Sequence, residues 1–155
     1  MSRFFAEVWP RYRGRRYVQH ERARAFKVRD HLVRVRVDLL TAGPEGLLIT
    51  DWKTGRAHGD VEEDLQLSAY ILWATKALGE PLDRVRAELV FLADGASRAT
   101  ARSPGTLAKA EDRIAASAAA MLAVRGAEDA PPSPGAHCLG CGFAKACDAA
   151  QPWVR

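Results

Sequence analysis

The stretch from residue 33 to residue 53 constrains this chain more than any other. Val33, Val35 and Val37 alternate with arginines, the period of two that a strand shows when one face is buried. Thr41-Ala42-Gly43-Pro44-Glu45-Gly46 follows as a turn cluster, and Leu47-Leu48-Ile49 is a short apolar run suited to a central strand. The two strands are expected to pair as a hairpin. Asp38 then ends the first strand, and Asp51-Trp52-Lys53 lies at the end of the second. Residues two apart on a strand share a face, so Asp51 and Lys53 point together while Trp52 points away. The hairpin brings the Asp38 carboxylate toward Asp51. Two converging carboxylates beside a lysine supply hard oxygen ligands for a divalent ion such as Mg²⁺ and a fixed positive charge. Asp-X-Lys alone more often marks a surface ion pair beside a turn, because three residues carry little information.

The rest of the chain supplies a frame for that hairpin. Residues 4–12 could make a short helix interrupted by Pro10, and alternation at 17–21 and 23–28 predicts further strands. Residues 60–78 read as a helix, with Asp60 as N-cap and Gly79 and Pro81 as stop signals. A strand over 85–92 follows. Ser103-Pro104 then opens a second helix, to residue 125, in which Leu107, Ile114 and Met121 recur every seventh residue and are expected to pack on the sheet. The fold class expected is α/β (α+β): a central mixed sheet of four or five strands flanked by helices. A core over residues 1–130 is followed by the stiff linker 130–135, rich in proline, and a cysteine segment that together make up residues 131–155.

Composition excludes some alternatives. With 48% hydrophobic and 27% charged residues among 155, the chain should fold as one compact domain plus a small appendage rather than remain disordered. No window approaches the ~18 consecutive apolar residues of a membrane span, and the first residues lack a signal-peptide pattern. No membrane contact and a cytoplasmic location are expected. The net charge of +4 is small, but arginines crowd residues 11–36, a cluster suited to a polyanion and also ordinary for surface strands.

On the 60–78 helix, Gln66 and Tyr70 stand one turn apart on one face. Val-Asp-Leu-Leu at 37–40, Ile-Thr-Asp-Trp-Lys-Thr-Gly at 49–55 and Asp-Leu-Gln-Leu-Ser-Ala-Tyr at 64–70, in that order, resemble the RecB-like branch of the PD-(D/E)XK nucleases. That branch includes nuclease domains of helicase-nucleases and CRISPR-associated exonucleases, and the resemblance covers residues 21–147. It implies a restriction-endonuclease-like fold. It also implies that Asp38, Asp51 and the backbone carbonyl of Trp52 bind Mg²⁺ or Mn²⁺, that Lys53 orients the nucleophilic water, and that Gln66 and Tyr70 position the lysine and the DNA strand. Glu21 corresponds to an acidic residue often found before the first central strand. Val35 stands where many relatives have glycine.

Cys138, Cys141 and Cys147 form C-x₂-C-x₅-C, which in a reducing compartment suggests metal rather than a disulfide. The trio looks like the C-terminal part of the [4Fe-4S] site that many RecB-like nucleases carry, although this sequence has no upstream cysteine. Zinc is the competitor, with His137 as an awkward fourth ligand, and thiols packed in an apolar lobe are the third reading. The family's upstream histidine has no clear counterpart. His20 is placed on a strand, and His31 and His58 in surface turns. These absences suggest a truncated or minimal form of the domain.

The resemblance implies a metal-dependent DNA nuclease, an exonuclease on single strands or ends in DNA repair, recombination or defence, with a helicase or another repair protein as partner. The alternative is a catalytically weak nucleic-acid-binding or assembly module that keeps the fold. A small zinc or iron–sulfur protein is the third reading, and it leaves Gln66 and Tyr70 unexplained.

Overall fold

The computed structural model describes residues 4–55, 61–100 and 103–154. Strands β1 (Arg16–Val28), β2 (His31–Gly43) and β3 (Gly46–Lys53) precede helix α1 (Val61–Ala77). Strands β4 (Val85–Phe91) and β5 (Ser97–Thr100) then lead to helix α2 (Pro104–Ala123). The strands form one sheet in sequence order. β1, β2 and β3 are an antiparallel meander, β3 and β4 run parallel, and β5 returns antiparallel at the edge. A parallel neighbour needs a crossover of a dozen residues or more, and α1 lies in that connection. This is the mixed α/β sheet flanked by helices that the periodicities predict, consistent with a restriction-endonuclease-like fold.

The main core lies between the sheet and α1. Leu67, Tyr70, Ile71 and Ala74 follow helical spacing and are buried against Val35, Val37, Leu40, Ile49, Ala87 and Leu89. Each large aliphatic among them contributes roughly 1.5–3 kcal/mol by leaving water. On the reverse face, the short turns Phe4–Val8 and Trp9–Tyr12 place Val8 and Tyr12 over Val90, Leu39, Leu48 and Trp52. Gly46 opens β3 at φ 107°, and a Cβ there would stand 2.1 Å from the Arg84 carbonyl oxygen. Only glycine lets the hairpin approach the start of β4 so closely.

Several boundaries differ from expectation. β1 is one continuous strand rather than two, and β2 runs on to Gly43, so Asp38 lies inside its strand rather than at its end. Pairing with β1 on one side and β3 on the other extends β2 beyond its apolar alternation. His31 is the first residue of β2 rather than part of a turn. β5 was not expected, because its Ser-Arg-Ala-Thr has no apolar periodicity and is ordered by pairing with β4. In α2, Leu107 is buried and Ile114 packs partly on the core, but Met121 is 67% exposed. The heptad stripe therefore ends at Ile114, after which mostly alanine offers little apolar area to bury. Asp60 and His58 lie outside the described residues.

The chain divides into two compact units, Met1–Ala118 and Ala119–Arg155. In the second, short 3₁₀ turns at Ala136–Gly140, Ala144–Ala146 and Asp148–Ala150 gather Cys138, Ala144 and Ala150 into a small buried cluster. No helix among the described residues is long and apolar enough to cross a membrane.

Candidate active site

The β2–β3 ladder runs from Gly43 opposite Gly46 to Leu39 opposite Thr50. One further rung would set Asp38 opposite Asp51, and there the ladder stops. The Trp52 N–H donates instead to Asp38 Oδ2 at 2.8 Å. A side-chain oxygen thus takes the place of a backbone acceptor at the end of the ladder, beside both carboxylates. On the other side of β2, Glu21 stands opposite Asp38, between the pairs His20 to Leu39 and Arg22 to Val37. Its φ of 47° lies in the left-handed region, which costs a non-glycine residue about 1–2 kcal/mol. Val37 and Leu40, three residues apart, both enter the main core, so strand alternation breaks once beside Asp38.

Asp51 and Lys53 face α1. The Lys53 ammonium lies 2.8 Å from Asp51 Oδ2 and donates to Gln66 Oε1 at 2.8 Å. Gln66 Nε2 donates to Asp51 Oδ1 at 3.0 Å and to the Tyr70 hydroxyl at 2.9 Å. That amide can point only one way, because the flipped form would turn its NH₂ toward the ammonium. The Tyr70 hydroxyl lies 2.7 Å from Asp51 Oδ1 and 3.1 Å from the Arg36 carbonyl oxygen. With one proton to give, it donates to the nearer, charged oxygen. Three donors therefore meet the roughly four acceptor sites of the Asp51 carboxylate. Asp38 Oδ1 has no hydrogen-bond partner among the described residues.

Burial is the largest influence on the Asp38 carboxyl and raises its pKa. The Trp52 N–H opposes this, while the nearby charges of Asp51 and Glu21 add to the rise. Two carboxylates held this close repel each other, a cost that a divalent cation relieves. Burial, followed by the hydrogen bond to Asp51, pushes the Tyr70 hydroxyl well above its ordinary range, so it remains a donor at neutral pH.

The reverse face of β3 carries a second polar cluster that sequence reading missed. Buried Glu88 accepts from the Tyr12 hydroxyl at 2.6 Å and the Thr50 hydroxyl at 3.0 Å, and it pairs with Arg11, whose other nitrogen donates to Ser97 at 2.9 Å. Burial and then Glu88 push the Tyr12 hydroxyl upward. Trp52 lies against Phe4 and Tyr12, with ring centroids 5.7 and 5.6 Å away. The sequence signal was Glu88 set between Ala87 and the apolar run Leu89-Val90-Phe91, an ionisable group that needs partners when buried.

Of the residues singled out from sequence, Asp38, Asp51, Lys53, Gln66 and Tyr70 lie together. His20 sits apart on β1, its Nδ1 2.5 Å from the Tyr17 hydroxyl. The cysteine expectation needs correction. Among the described residues, no three His, Cys, Asp or Glu side chains group as a metal-ligand set, so the sulfurs of Cys138, Cys141 and Cys147 do not converge for a [4Fe-4S] cluster or for zinc with His137. They border one cavity of about 170 Å³ instead. Cys138 is buried with Ala144 and Ala150, its sulfur accepting from the Gly135 N–H at 3.5 Å, whereas Cys141 is exposed. Apolar packing of the small lobe holds them apart in environment.

No curated protein matches the chain. The sequence profile of the PD-(D/E)XK nuclease superfamily matches residues 1–148, nearly its whole length. A match over that much of the chain shows the family: the chain belongs to the PD-(D/E)XK nuclease superfamily.

Proposed function

We propose that this protein is a Mg²⁺- or Mn²⁺-dependent deoxyribonuclease of the RecB-like branch, hydrolysing phosphodiester bonds at Asp38, Asp51 and Lys53. The observation that carries the reading is the Lys53–Gln66–Asp51–Tyr70 network set beside Asp38 where the ladder ends. Mg²⁺ keeps several waters and uses one or two carboxylates plus substrate oxygens, so two aspartates suit it. The mutual repulsion of Asp38 and Asp51 supports that fit. Asp38, Asp51 and the Trp52 carbonyl would hold the ion, which when bound supplies Lewis-acid neutralisation of the phosphate and an activated water.

The chain's own groups do the positioning. Tyr70 and Gln66 orient the Asp51 carboxylate by both donating to Oδ1. Gln66 Oε1 holds the Lys53 ammonium at the mouth of the site, where its charge offsets the negative charge that develops on the phosphoryl oxygens. Asp38 is anchored through one oxygen by the Trp52 N–H, which leaves its second oxygen to serve as a ligand. Action from the ends of single strands, and delivery of DNA by a helicase or another repair or defence protein, follow from the RecB-like motifs at 37–40, 49–55 and 64–70. The test is cleavage of labelled single- and double-stranded DNA with Mg²⁺ or Mn²⁺. Activity that vanishes in Asp51→Asn and falls in Lys53→Ala is the expected outcome. A folded wild-type protein that cuts no DNA with either ion refutes the assignment.

A further inference from the structure

A cavity of about 610 Å³ opens between β2, α1 and α2, directly beside the proposed centre. Its size falls in the ~300–1,000 Å³ range of small-ligand sites. Gln66 and Tyr70 form part of its wall, so it is continuous with the network that holds Asp51. Val33, Leu65, Ala69 and Ile114 also line it; each packs against the main core yet is only partly buried, leaving an open apolar surface. The charged lining is of one sign. Arg34, Arg36 and Arg113 border the cavity, and no carboxylate does so among the described residues. Arg36 is paired with Glu21, whereas exposed Arg113 has no ion-pair partner among the described residues. Lys109, one turn earlier on α2, extends the positive rim.

We propose that this cavity seats an unpaired nucleobase of the substrate strand, next to the scissile phosphodiester, with Arg113 holding the adjoining phosphate. The inference rests on the nuclease reading and adds a subsite to it. An apolar floor under a cationic rim fits an anionic chain that carries flat, weakly polar groups. A duplex offers its phosphates but keeps its base faces stacked, so filling the cavity requires an unpaired or unstacked nucleotide. The cavity therefore selects single strands or frayed ends over intact duplex.

Two exposed positions on α2 test this without entering the core: Arg113→Ala, with Arg113→Lys as the conservative control, and Ser117→Trp, which blocks the cavity. Binding of a fluorescent single-stranded oligonucleotide by the full chain is measured in EDTA as anisotropy against salt, and cleavage is measured separately with Mg²⁺. Arg113→Ala is expected to weaken binding roughly three- to tenfold and to reduce the salt slope by about one, while Arg113→Lys keeps the slope. Ser117→Trp should raise KM for single strands by a similar factor and leave kcat within about twofold. An oligonucleotide with one abasic position next to the cut site should bind wild type more weakly, yet bind Ser117→Trp no differently from the intact strand. If both variants bind and cleave as wild type does, or if abasic substitution changes nothing, the base subsite is overturned while the nuclease assignment stands. If wild type binds oligonucleotide with these variant effects but never cleaves, the subsite stands and the nuclease assignment falls.

Discussion

On the α1 side of β3, Asp51 and Lys53 join a charged network whose outer edge meets solvent, the Lys53 side chain being 31% exposed. On the reverse side Thr50 and Trp52 are covered by Tyr12 and Phe4, and Glu88 there is 7% exposed with Arg11, Tyr12 and Thr50 as partners. Adjacent residues of one strand thus serve opposite ends. The inner face leaves one acceptor of Asp38 without a hydrogen-bond partner among the described residues, beside a second carboxylate that repels it. The outer face satisfies its one buried acid completely. An open, mutually repelling pair is costly to the fold and useful to a ligand; a closed cluster is the reverse.

The largest expected effect lies on the open face. Asp51→Asn should abolish metal-dependent cleavage while circular dichroism stays native, because it removes ligand charge and keeps shape. Loss of fold instead of activity would erase the contrast between the faces. Lys53→Ala should slow the chemical step by about 100-fold, the scale for one preorganised electrostatic group, with little change in oligonucleotide affinity. Tyr70→Phe removes one donor to a charged acceptor, worth ~1.5–3 kcal/mol, so kcat should fall roughly ten- to 100-fold. An unchanged rate would show that Gln66 alone holds Asp51.

On the closed face, Glu88→Gln leaves the Arg11 charge without its partner. A loss of about 1–3 kcal/mol lowers Tm by roughly 3–10 °C in a calorimetric scan, and kcat at a permissive temperature should move by less than about threefold. A large fall in kcat without a fall in Tm would make Glu88 part of the reaction rather than of the fold.

The smallest effect sharpens the comparison through pH. The Asp38 carboxyl has a raised pKa in the folded chain, so the native state binds its proton more tightly than the unfolded state does. Its contribution to stability is then fully present below the unfolded value near 3.9 and is lost as pH rises through the folded value. At neutral pH in EDTA, Asp38→Asn should therefore match or slightly exceed wild type in Tm, its amide oxygen still accepting the Trp52 N–H. A clear loss of stability would mean that Asp38 belongs to the fold, as Glu88 does.

What the sequence determined by itself was local or periodic. The alternation of valines with arginines, the Gly43 to Gly46 turn and the one-turn spacing of Gln66 and Tyr70 needed only the backbone periods of strand and helix, and they placed the candidate side chains on known faces. The Cys138 to Cys147 spacing showed the limit of such reading, since it is compatible with a ligand set but does not dictate one. Tertiary structure alone decided where β2 ends, that Asp38 gives its oxygen to the Trp52 N–H, that β5 exists, and that Glu88 gathers Arg11 and Tyr12 from more than 70 residues away. The reason is physical. Strand length, a ladder's end and the partners of a buried charge are settled by pairing between distant segments, and no local period in the chain encodes them.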